Sequence, residues 1–414
     1  MFSSNPIWQN PAFVKLWLSS TVSSFGGQIS NIALALTAVT VLHATPDEMG
    51  WLIAMETLPF ALLSLPSGVW LDRVRKLPML VVGEFTLAAL LITIPIATWY
   101  GWLSLTHLYV VGFGIGVCAV FLGTAFQVFT THVVGKQNLV PAHSAISASN
   151  SASATAGPGI GGTLVQLMTA PMVMLVDAVC LFVAGFLLMR IKVVEPKPEP
   201  ATESFMAQLR EGLRFVFADK RLRALTWSVA FWQILFHSVV TLQVLLASRD
   251  LGLSAQALGF AFTAGGSAAL VGALLAPKCA DRFGVGPVMM AGFALTSAGW
   301  VAMAISPSGP YALAAFALSQ LLFGLGSTLF FVTYISMRQV LTPAPLLSRV
   351  TATMRFLTVA ATPIGALLAG KLGAWIGVRS ALELVAVASI ILTIVVATAS
   401  PLRAMTMPNS PEPE

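Results

Sequence analysis

The feature that most constrains this chain is a run of about 20 apolar residues, the length a helix needs to cross a bilayer, repeated along the whole sequence. Only 9% of the 414 residues are charged and 57% are hydrophobic, whereas soluble proteins carry roughly 25% charged residues. We therefore predict an all-α membrane protein with twelve transmembrane helices. The runs cover residues 14–42, 50–71, 77–99, 104–132, 142–168, 171–191, 224–247, 257–278, 286–305, 311–336, 346–371 and 377–400.

The distribution of basic residues predicts the orientation. If both termini are cytoplasmic, nearly all of the 22 Lys and Arg residues fall on the cytoplasmic side, as the positive-inside rule requires. Only Arg249, Lys371 and Arg379 fall on the opposite side, and Arg355 lies inside a span. The polar N-terminal stretch leads directly into the first apolar run, so we expect a retained span rather than a cleaved signal peptide.

The interval 193–223 divides the twelve runs into two sets of six. Its first part, "VVEPKPEPATES", is rich in Pro and Glu and is typical of an extended linker. In its second part, Phe205, Leu209, Leu213 and Phe217 recur at helical spacing, which predicts an amphipathic helix on the inner membrane surface. A soluble linker helix is the alternative. The predicted domains are two six-helix bundles at 1–192 and 224–403, the linker at 193–223 and a disordered tail at 404–414.

The stretch "LPSGVWLDRVRKLPML" places an acid and three bases directly after Gly68. Its Asp72 and Arg73 recur in the second half as Asp281 and Arg282. The match falls on turn and charge positions, which indicates that the halves are internal repeats. Two repeated six-helix halves are typical of transporters that bind their substrate between the halves.

The motifs resemble those of the major facilitator superfamily over residues 11–400. "GVWLDRVRK" resembles the family's loop signature between helices 2 and 3, and "PKCADRFG" resembles its second copy. "GPGIGG" resembles a helix 5 motif of exporters that work as antiporters, and other segments resemble a bacterial branch that includes enterobactin and macrolide exporters. The resemblance implies alternating access between the halves. Helix 4 lacks the Arg of many exporters, and Gly27 stands where the branch often has an acid, so any proton coupling must use other residues.

The resemblance also implies a conformational gate at the loop signature. A glycine permits close approach of a neighbouring helix, and Asp72 is expected to contact the second half when the inner face is closed. The alternative is that the bases serve only to hold the loop in the cytoplasm. The predicted gate comprises Gly68, Asp72, Arg73, Arg75, Lys76, Asp281 and Arg282.

Helix 5 carries a second motif with two interpretations. Pro158 removes a backbone donor, while Gly157, Gly161 and Gly162 thin the helix, which favours a functional bend in the outer half. Ordinary packing of small residues is the alternative.

Ionisable residues inside spans are costly and are usually functional. An acid in a low dielectric favours its neutral form and can carry a proton, and Glu56 is the preferred carrier because its helix can reach the interior. Glu84 and Asp177 are expected to be either coupling or structural residues, His237 is more typical of a packing residue, and Arg355 requires a counter-charge. The complete set of coupling candidates is Glu56, Glu84, Asp177, His237, Arg355 and Glu383.

The resemblance implies a substrate cavity lined by helices 1, 4, 7 and 10. Their polar and aromatic residues would give a mostly apolar cavity that suits an amphipathic or lipophilic solute. These candidates are Gln28, Asn31, Gln127, Trp232, Gln233, Gln320 and Tyr334.

The sequence contains no nucleotide-binding or metalloprotease motif, and Cys118, Cys180 and Cys279 lack metal-ligand spacing. We expect no cofactor, metal or nucleic acid, and a monomer that contacts lipid, a small-molecule substrate and protons. The prediction is a proton-coupled exporter of the bacterial inner membrane and not an enzyme. The alternatives are an uptake permease, a lipid flippase, a membrane enzyme or a scaffold without transport activity.

Overall fold

The computed structural model describes residues 6–71, 73–193, 195, 205–343, 346–399 and 402, and their regular structure is helical. The predicted gate residue Asp72, residues 194 and 196–204 of the predicted linker and the predicted tail at 404–414 lie outside these residues. The α-helices are α1 (Pro11–Leu36), α2 (Pro46–Leu71), α3 (Lys76–Trp99), α4 (Leu105–Val134), α5 (Leu139–Met168), α6 (Ala170–Met189), α7 (Phe205–Ala218), α8 (Lys220–Leu245), α9 (Ala255–Phe283), α10 (Val285–Ala304), α11 (Ala312–Leu341), α12 (Leu347–Val359), α13 (Thr362–Ile376) and α14 (Val378–Ala399).

Ten helical segments within the described residues are long and apolar enough to cross a membrane. Two further helices, α2 with 26 residues and α5 with 30, also reach the length of a span. The "SASATAGPGIGG" stretch of α5 is rich in Ser, Ala and Gly, which lowers its hydropathy. The chain is thus an all-helical, multi-pass membrane protein, and the count of twelve spans and the orientation of the termini remain predictions.

Contacts between Cα atoms divide the chain into two compact units. The first unit comprises residues 1–202 and 253–263, and the second comprises 203–252 and 264–414. Within the first unit, α1 packs against α5 and α6, α3 packs against α4 and α6, and α2 packs against α4. Within the second unit, α10 packs against α11 and α14, and α8 packs against α13 and α14. The first part of α9 therefore groups with the helices of the first unit.

The first connection of each half has the same local structure. Helices α1 and α8 both end in a π-helical turn, Thr37–Val41 and Leu246–Asp250. Each turn is followed by a residue with positive φ, 51° at His43 and 65° at Gly252. The next helix is then capped by a hydroxyl, since Glu48 N donates to Thr45 Oγ1 and Ala257 N donates to Ser254 Oγ. The internal repeat therefore extends to backbone conformation.

Helix α7, at the position of the predicted amphipathic helix, packs against α12. A Cβ atom added to Gly212 would lie 2.9 Å from the backbone oxygen of Arg349, so the two helices meet closely there. The Arg349 side chain also forms an ion pair with Glu211 of α7. Because Val216 is fully buried, this helix uses part of its apolar face for packing against protein.

The predicted eleventh span, 346–371, consists of two helices rather than one. Helix α12 ends at Val359, and α13 begins at Thr362 and continues to Ile376. Pro363 explains the break, because it has no backbone N–H to donate and its ring crowds the carbonyl group of Val359, one turn earlier. Together these helices cover the candidate span Arg349–Ile376.

Candidate functional site

Two acids lie buried where α1, α3 and α6 meet in the first unit. Glu84 of α3 is 9% exposed and Asp177 of α6 is 3% exposed. Both acids contact the same stretch of α1, Glu84 through Ser23 and Asp177 at Gly26, three residues later. The Ser23 hydroxyl of α1 donates to Oε2 of Glu84 at 3.2 Å. We name Glu84 and Asp177 the acid pair.

The surface of α1 that faces the acid pair is shaped by a glycine. A Cβ atom added to Gly26 would overlap Oδ1 of Asp177 and lie 2.9 Å from Cβ of Cys180, so the carboxyl group occupies the space a side chain would fill. Ser30 lies one helical turn after Gly26 and therefore on the same face of α1. Among the described residues, neither Ser30 Oγ nor Asp177 Oδ1 has a hydrogen-bond partner. Buried polar atoms are normally bonded, so these two oxygens mark a site able to accept a proton or a cation.

Glu56, the preferred proton carrier, lies apart from the acid pair in the contact between α2 and α4. Its Cγ atom would be 3.1 Å from a Cβ atom added to Gly112. The side chain is half-buried, and the described residues offer its carboxyl group no hydrogen bond or ion pair.

The other coupling candidates belong to the second unit, whereas the acids belong to the first. His237 is half-buried in α8, and its Nδ1 lies 3.1 Å from the Gln233 backbone oxygen one turn earlier. Its ring also packs edge-on against Phe236, as a packing residue does. Arg355 and Glu383 are exposed.

The loop between α2 and α3 is held by contacts of Lys76 and Glu195. Lys76 Nζ donates to the backbone oxygens of Leu71 and Val74 at 2.7 and 2.9 Å, which satisfies carbonyls at the end of α2. The backbone amides of Lys76 and Leu77 donate to the two carboxylate oxygens of Glu195, each at 2.7 Å. Glu195 thus caps the N-terminus of α3, where a negative charge is stabilising.

The remaining described gate residues lie near the ends of α2 and α9 or in the loop after α2. Gly68 lies in the last turns of α2, and Arg73 and Arg75 are exposed. Asp281 and Arg282 lie exposed at the end of α9, with the Arg282 guanidinium 5.4 Å from the ring centre of Phe283. The role of these residues as a gate remains a prediction.

We expect Glu195→Ala to lower the stability of the first unit by about 1 kcal/mol, because it removes an acidic cap from α3. Glu195→Gln keeps one acceptor oxygen, so it should lower the stability less than Glu195→Ala does. Thermal unfolding of the purified protein measures both variants against Asp219→Ala, which removes the N-cap of α8 and should cost a similar amount. Equal melting temperatures for wild type and Glu195→Ala would contradict the capping role.

The glycines of the helix 5 motif mark two close helix contacts. On one side, a Cβ atom at Gly157 would lie 2.5 Å from Cβ of Gln28, and one at Gly161 would lie 3.1 Å from Cα of Ile29, both in α1. On the other side, a Cβ atom at Gly162 would overlap the backbone oxygen of Ala255 in α9.

Helix α9 contributes a glycine of its own to this second contact. A Cβ atom at Gly259 would lie 2.5 Å from the backbone oxygen of Pro158. Helix α5 continues through Pro158 as a single helix, Leu139–Met168. These contacts favour the packing interpretation of the motif, and a functional bend remains a prediction.

Trp232, a candidate cavity residue, lies inside an aromatic cluster of the second unit. It is 3% exposed and stacks on Phe236 with ring centres 5.1 Å apart. Phe236 in turn stacks on Phe323 of α11 at 5.5 Å. We define the aromatic cluster by the rings that surround Trp232, namely Phe236, Trp300, Phe323, Phe330 and Phe331. Sequence reasoning named only Trp232, although Phe236 follows it by one helical turn.

The other cavity candidates differ in exposure. Gln320 is buried and donates to Oε1 of Gln243 at 3.1 Å, and Tyr334 is buried beside the Arg338 guanidinium. Gln28 and Gln233 are half-buried, whereas Asn31 and Gln127 are exposed. Tyr334 packs against Phe330 and Phe331 of the aromatic cluster, with ring centres 6.1 Å from each, and is thereby linked to Trp232.

An apolar cavity of about 450 Å³ lies among α2, α3 and α4 in the first unit. Its walls include Trp70, Met79 and Phe121, and Arg75 is its charged residue. This volume is in the range of small-molecule sites. In the described part of the chain, no three His, Cys, Asp or Glu residues are grouped as metal ligands.

The fold resembles solved membrane transporters. The nucleoside transporter NupG superimposes with a TM-score of 0.77 at 12% identity, covering 92% of this chain and 97% of that protein. A bacterial homologue of the iron transporter ferroportin superimposes with a TM-score of 0.70 at 15% identity, covering 92% of this chain and 98% of that protein. At these identities the likeness shows the fold alone.

Residues 3–412 match the family described as transmembrane secretion effector, and the chain belongs to this family. An uncharacterised MFS-type transporter, y4rN, of Sinorhizobium fredii is 25% identical over 369 residues, which cover 87% of this chain and 88% of that protein. The enterobactin exporter EntS of Shigella flexneri is 24% identical over 366 residues, covering 88% of this chain and 86% of that protein. The family and these relatives are transporters, not enzymes.

Proposed function

We propose that this protein exports an amphipathic or lipophilic small molecule from the bacterial cytoplasm, driven by protons entering in exchange. It would act as a monomer in the inner membrane, by alternating access of its two halves. The observation that carries the proposal is the set of buried carboxyl groups inside the spans of a secretion-family chain. Buried acids in spans are typical of proton pathways.

Two features favour an apolar or amphipathic substrate. The half-buried rings Phe236, Phe323 and Phe331 of the aromatic cluster give the second unit polarizable groups in α8 and α11, and the 450 Å³ cavity of the first unit has mainly apolar walls. Export is favoured over uptake by the similarity to an enterobactin exporter. Lipid flipping on the same fold is the second candidate, favoured by the exposed Trp70 at the cavity.

The first test measures accumulation of amphipathic fluorescent dyes in bacteria that express the chain. Export predicts less dye than in control cells, and a protonophore should abolish the difference. More dye than in control cells would indicate uptake. A difference that survives the protonophore would contradict proton coupling. Transfer of a labelled phospholipid between leaflets of proteoliposomes tests the flippase alternative.

We expect Glu56→Gln to abolish export driven by a pH gradient, because the amide retains the shape of the side chain but cannot carry a proton. Dye flux in proteoliposomes under an imposed pH gradient should fall at least tenfold, while dye binding is retained. Asp250→Asn, the same kind of change at an exposed position after α8, is the matched control. Full flux in Glu56→Gln would remove Glu56 as the carrier.

A further inference from the structure

The acid pair places two carboxyl groups in the interior with no base beside them. Glu84 and Asp177 are both buried, and neither forms an ion pair with a Lys or Arg of the described chain. Burying one unpaired charge is costly, and two like charges in one low-dielectric site cannot both persist. The pair must therefore hold at least one positive charge that the protein itself does not supply.

The oxygen atoms of the site are consistent with a proton held by one of the two acids. Oδ1 of Asp177 and Oγ of Ser30 are buried and make no hydrogen bond within the described residues, although Asp177 and Ser30 are 3% and 8% exposed. A neutral Asp177 carries an O–H group, which could donate a hydrogen bond and so give one of these two oxygens a partner. Oε2 of Glu84 already accepts from Ser23, as a carboxylate does.

We propose that Glu84 and Asp177 share one exchangeable proton, forming a proton site separate from Glu56. Its role in coupling rests on the proposed function, whereas the proton site itself does not. The other titratable side chains that face the pair are Cys118 of α4, near Glu84, and Cys180 of α6, near Asp177. Helix α1 contributes Ser23, Gly26 and Ser30, so its contacting residues are uncharged.

Gly26 is the positioning residue of this site. The Asp177 carboxyl group fills the space where a Gly26 side chain would project. Movement of α1 past α6 would therefore change the surroundings of Asp177 directly, and with them the ease of losing the proton. The resemblance places α1 at the substrate cavity. The contact of Gly26 with Asp177 therefore connects that helix to the charge of the acid pair.

The test measures the melting temperature of the purified full chain as the pH is raised from acidic to alkaline values. Loss of the shared proton leaves two buried negative charges, so the wild type should lose roughly 5 °C over this range. Asp177→Asn and Glu84→Gln each remove one charge and should flatten the curve. Asp250→Asn should retain the wild-type slope, because Asp250 is exposed.

A spectroscopic readout keeps the proposal testable if one variant fails to fold. The infrared carbonyl band of a protonated carboxyl group should disappear as the pH rises in the wild type, and its amplitude should fall in either variant. Unchanged bands and slopes in both variants would overturn the proposal. Stabilisation by Na⁺ but not by choline, lost in Asp177→Asn, would assign a metal cation instead and would also overturn it.

These measurements need no transport, so they separate the two proposals. If export is proton-driven but both variants keep the wild-type dependence of melting temperature on pH, the acid pair is rejected as a proton site and the proposed function is retained. If the acid pair holds a proton but the chain shows no proton-driven export, the proposed function is rejected and the proton site is retained.

Discussion

Gly116→Ala is expected to lower the melting temperature of the purified protein by about 5 °C or more. A Cβ atom at this position of α4 would overlap the backbone oxygen of Glu56 and lie 2.9 Å from Cγ of Pro59 in α2. Backbone cannot yield as a flexible side chain can, so the two helices must separate. Overpacking of this kind costs roughly 1–3 kcal/mol. Together with Gly112 one turn earlier, Gly116 forms a small-xxx-small contact typical of membrane helices.

Gly123→Ala provides the matched control on the same helix. A Cβ atom at Gly123 would have no neighbour within 4 Å, and Ala favours a helix over Gly by up to about 1 kcal/mol. The control should therefore be neutral or slightly stabilised. If both variants unfold at the same temperature, α2 and α4 do not approach each other as closely as the structure shows.

Gly162→Ala should reduce dye export to about a tenth of the wild-type rate or less. Its Cβ atom would overlap the backbone oxygen of Ala255 and lie 2.9 Å from Cα of Gly259, so α5 and α9 could no longer cross at their present distance. The contact is a crossing of two backbones, with a glycine on each helix. Dye flux in proteoliposomes measures the loss, and hydrogen exchange of peptides from 255–263 should become faster.

Gly27→Ala is the control for this second variant. It makes the same chemical change in α1 at a position with no atom within 4 Å, and export should stay near the wild-type rate. Normal export by Gly162→Ala, with unchanged hydrogen exchange in α9, would show that the close crossing is not needed for transport.

The sequence predicted the helical membrane fold because lipid selects the apolar runs and the cytoplasmic side selects the basic residues. Both effects act on each helix separately and depend little on which helices it packs against. It also predicted the repeat from Asp72 and Asp281, although the structural match lies elsewhere, in the paired π-helical turns after α1 and α8. The break between α12 and α13 was missed because Pro363 lies within an otherwise continuous apolar run.

The site was less predictable because its geometry depends on contacts between distant segments. Glu84 and Asp177 were named as candidates because they are ionisable residues within predicted spans, but their common contact with α1 required α3 and α6 to be placed against that helix. Glu195 was not identified as a cap of α3, since 118 residues separate it from the Leu77 amide it accepts from. The sequence did not identify Gly259 as the residue that contacts Gly162, because it is one of many glycines within the predicted spans.

The acid pair is built entirely from helices of the first unit, and the aromatic cluster entirely from helices of the second. Under the proposed function, the acids that use the proton gradient and the rings that contact cargo would change independently by mutation. Mutations among the rings of α8, α10 and α11 would then alter the range of exported compounds without disturbing the acids. Exporters of this family could in this way diverge in cargo while keeping one energy source.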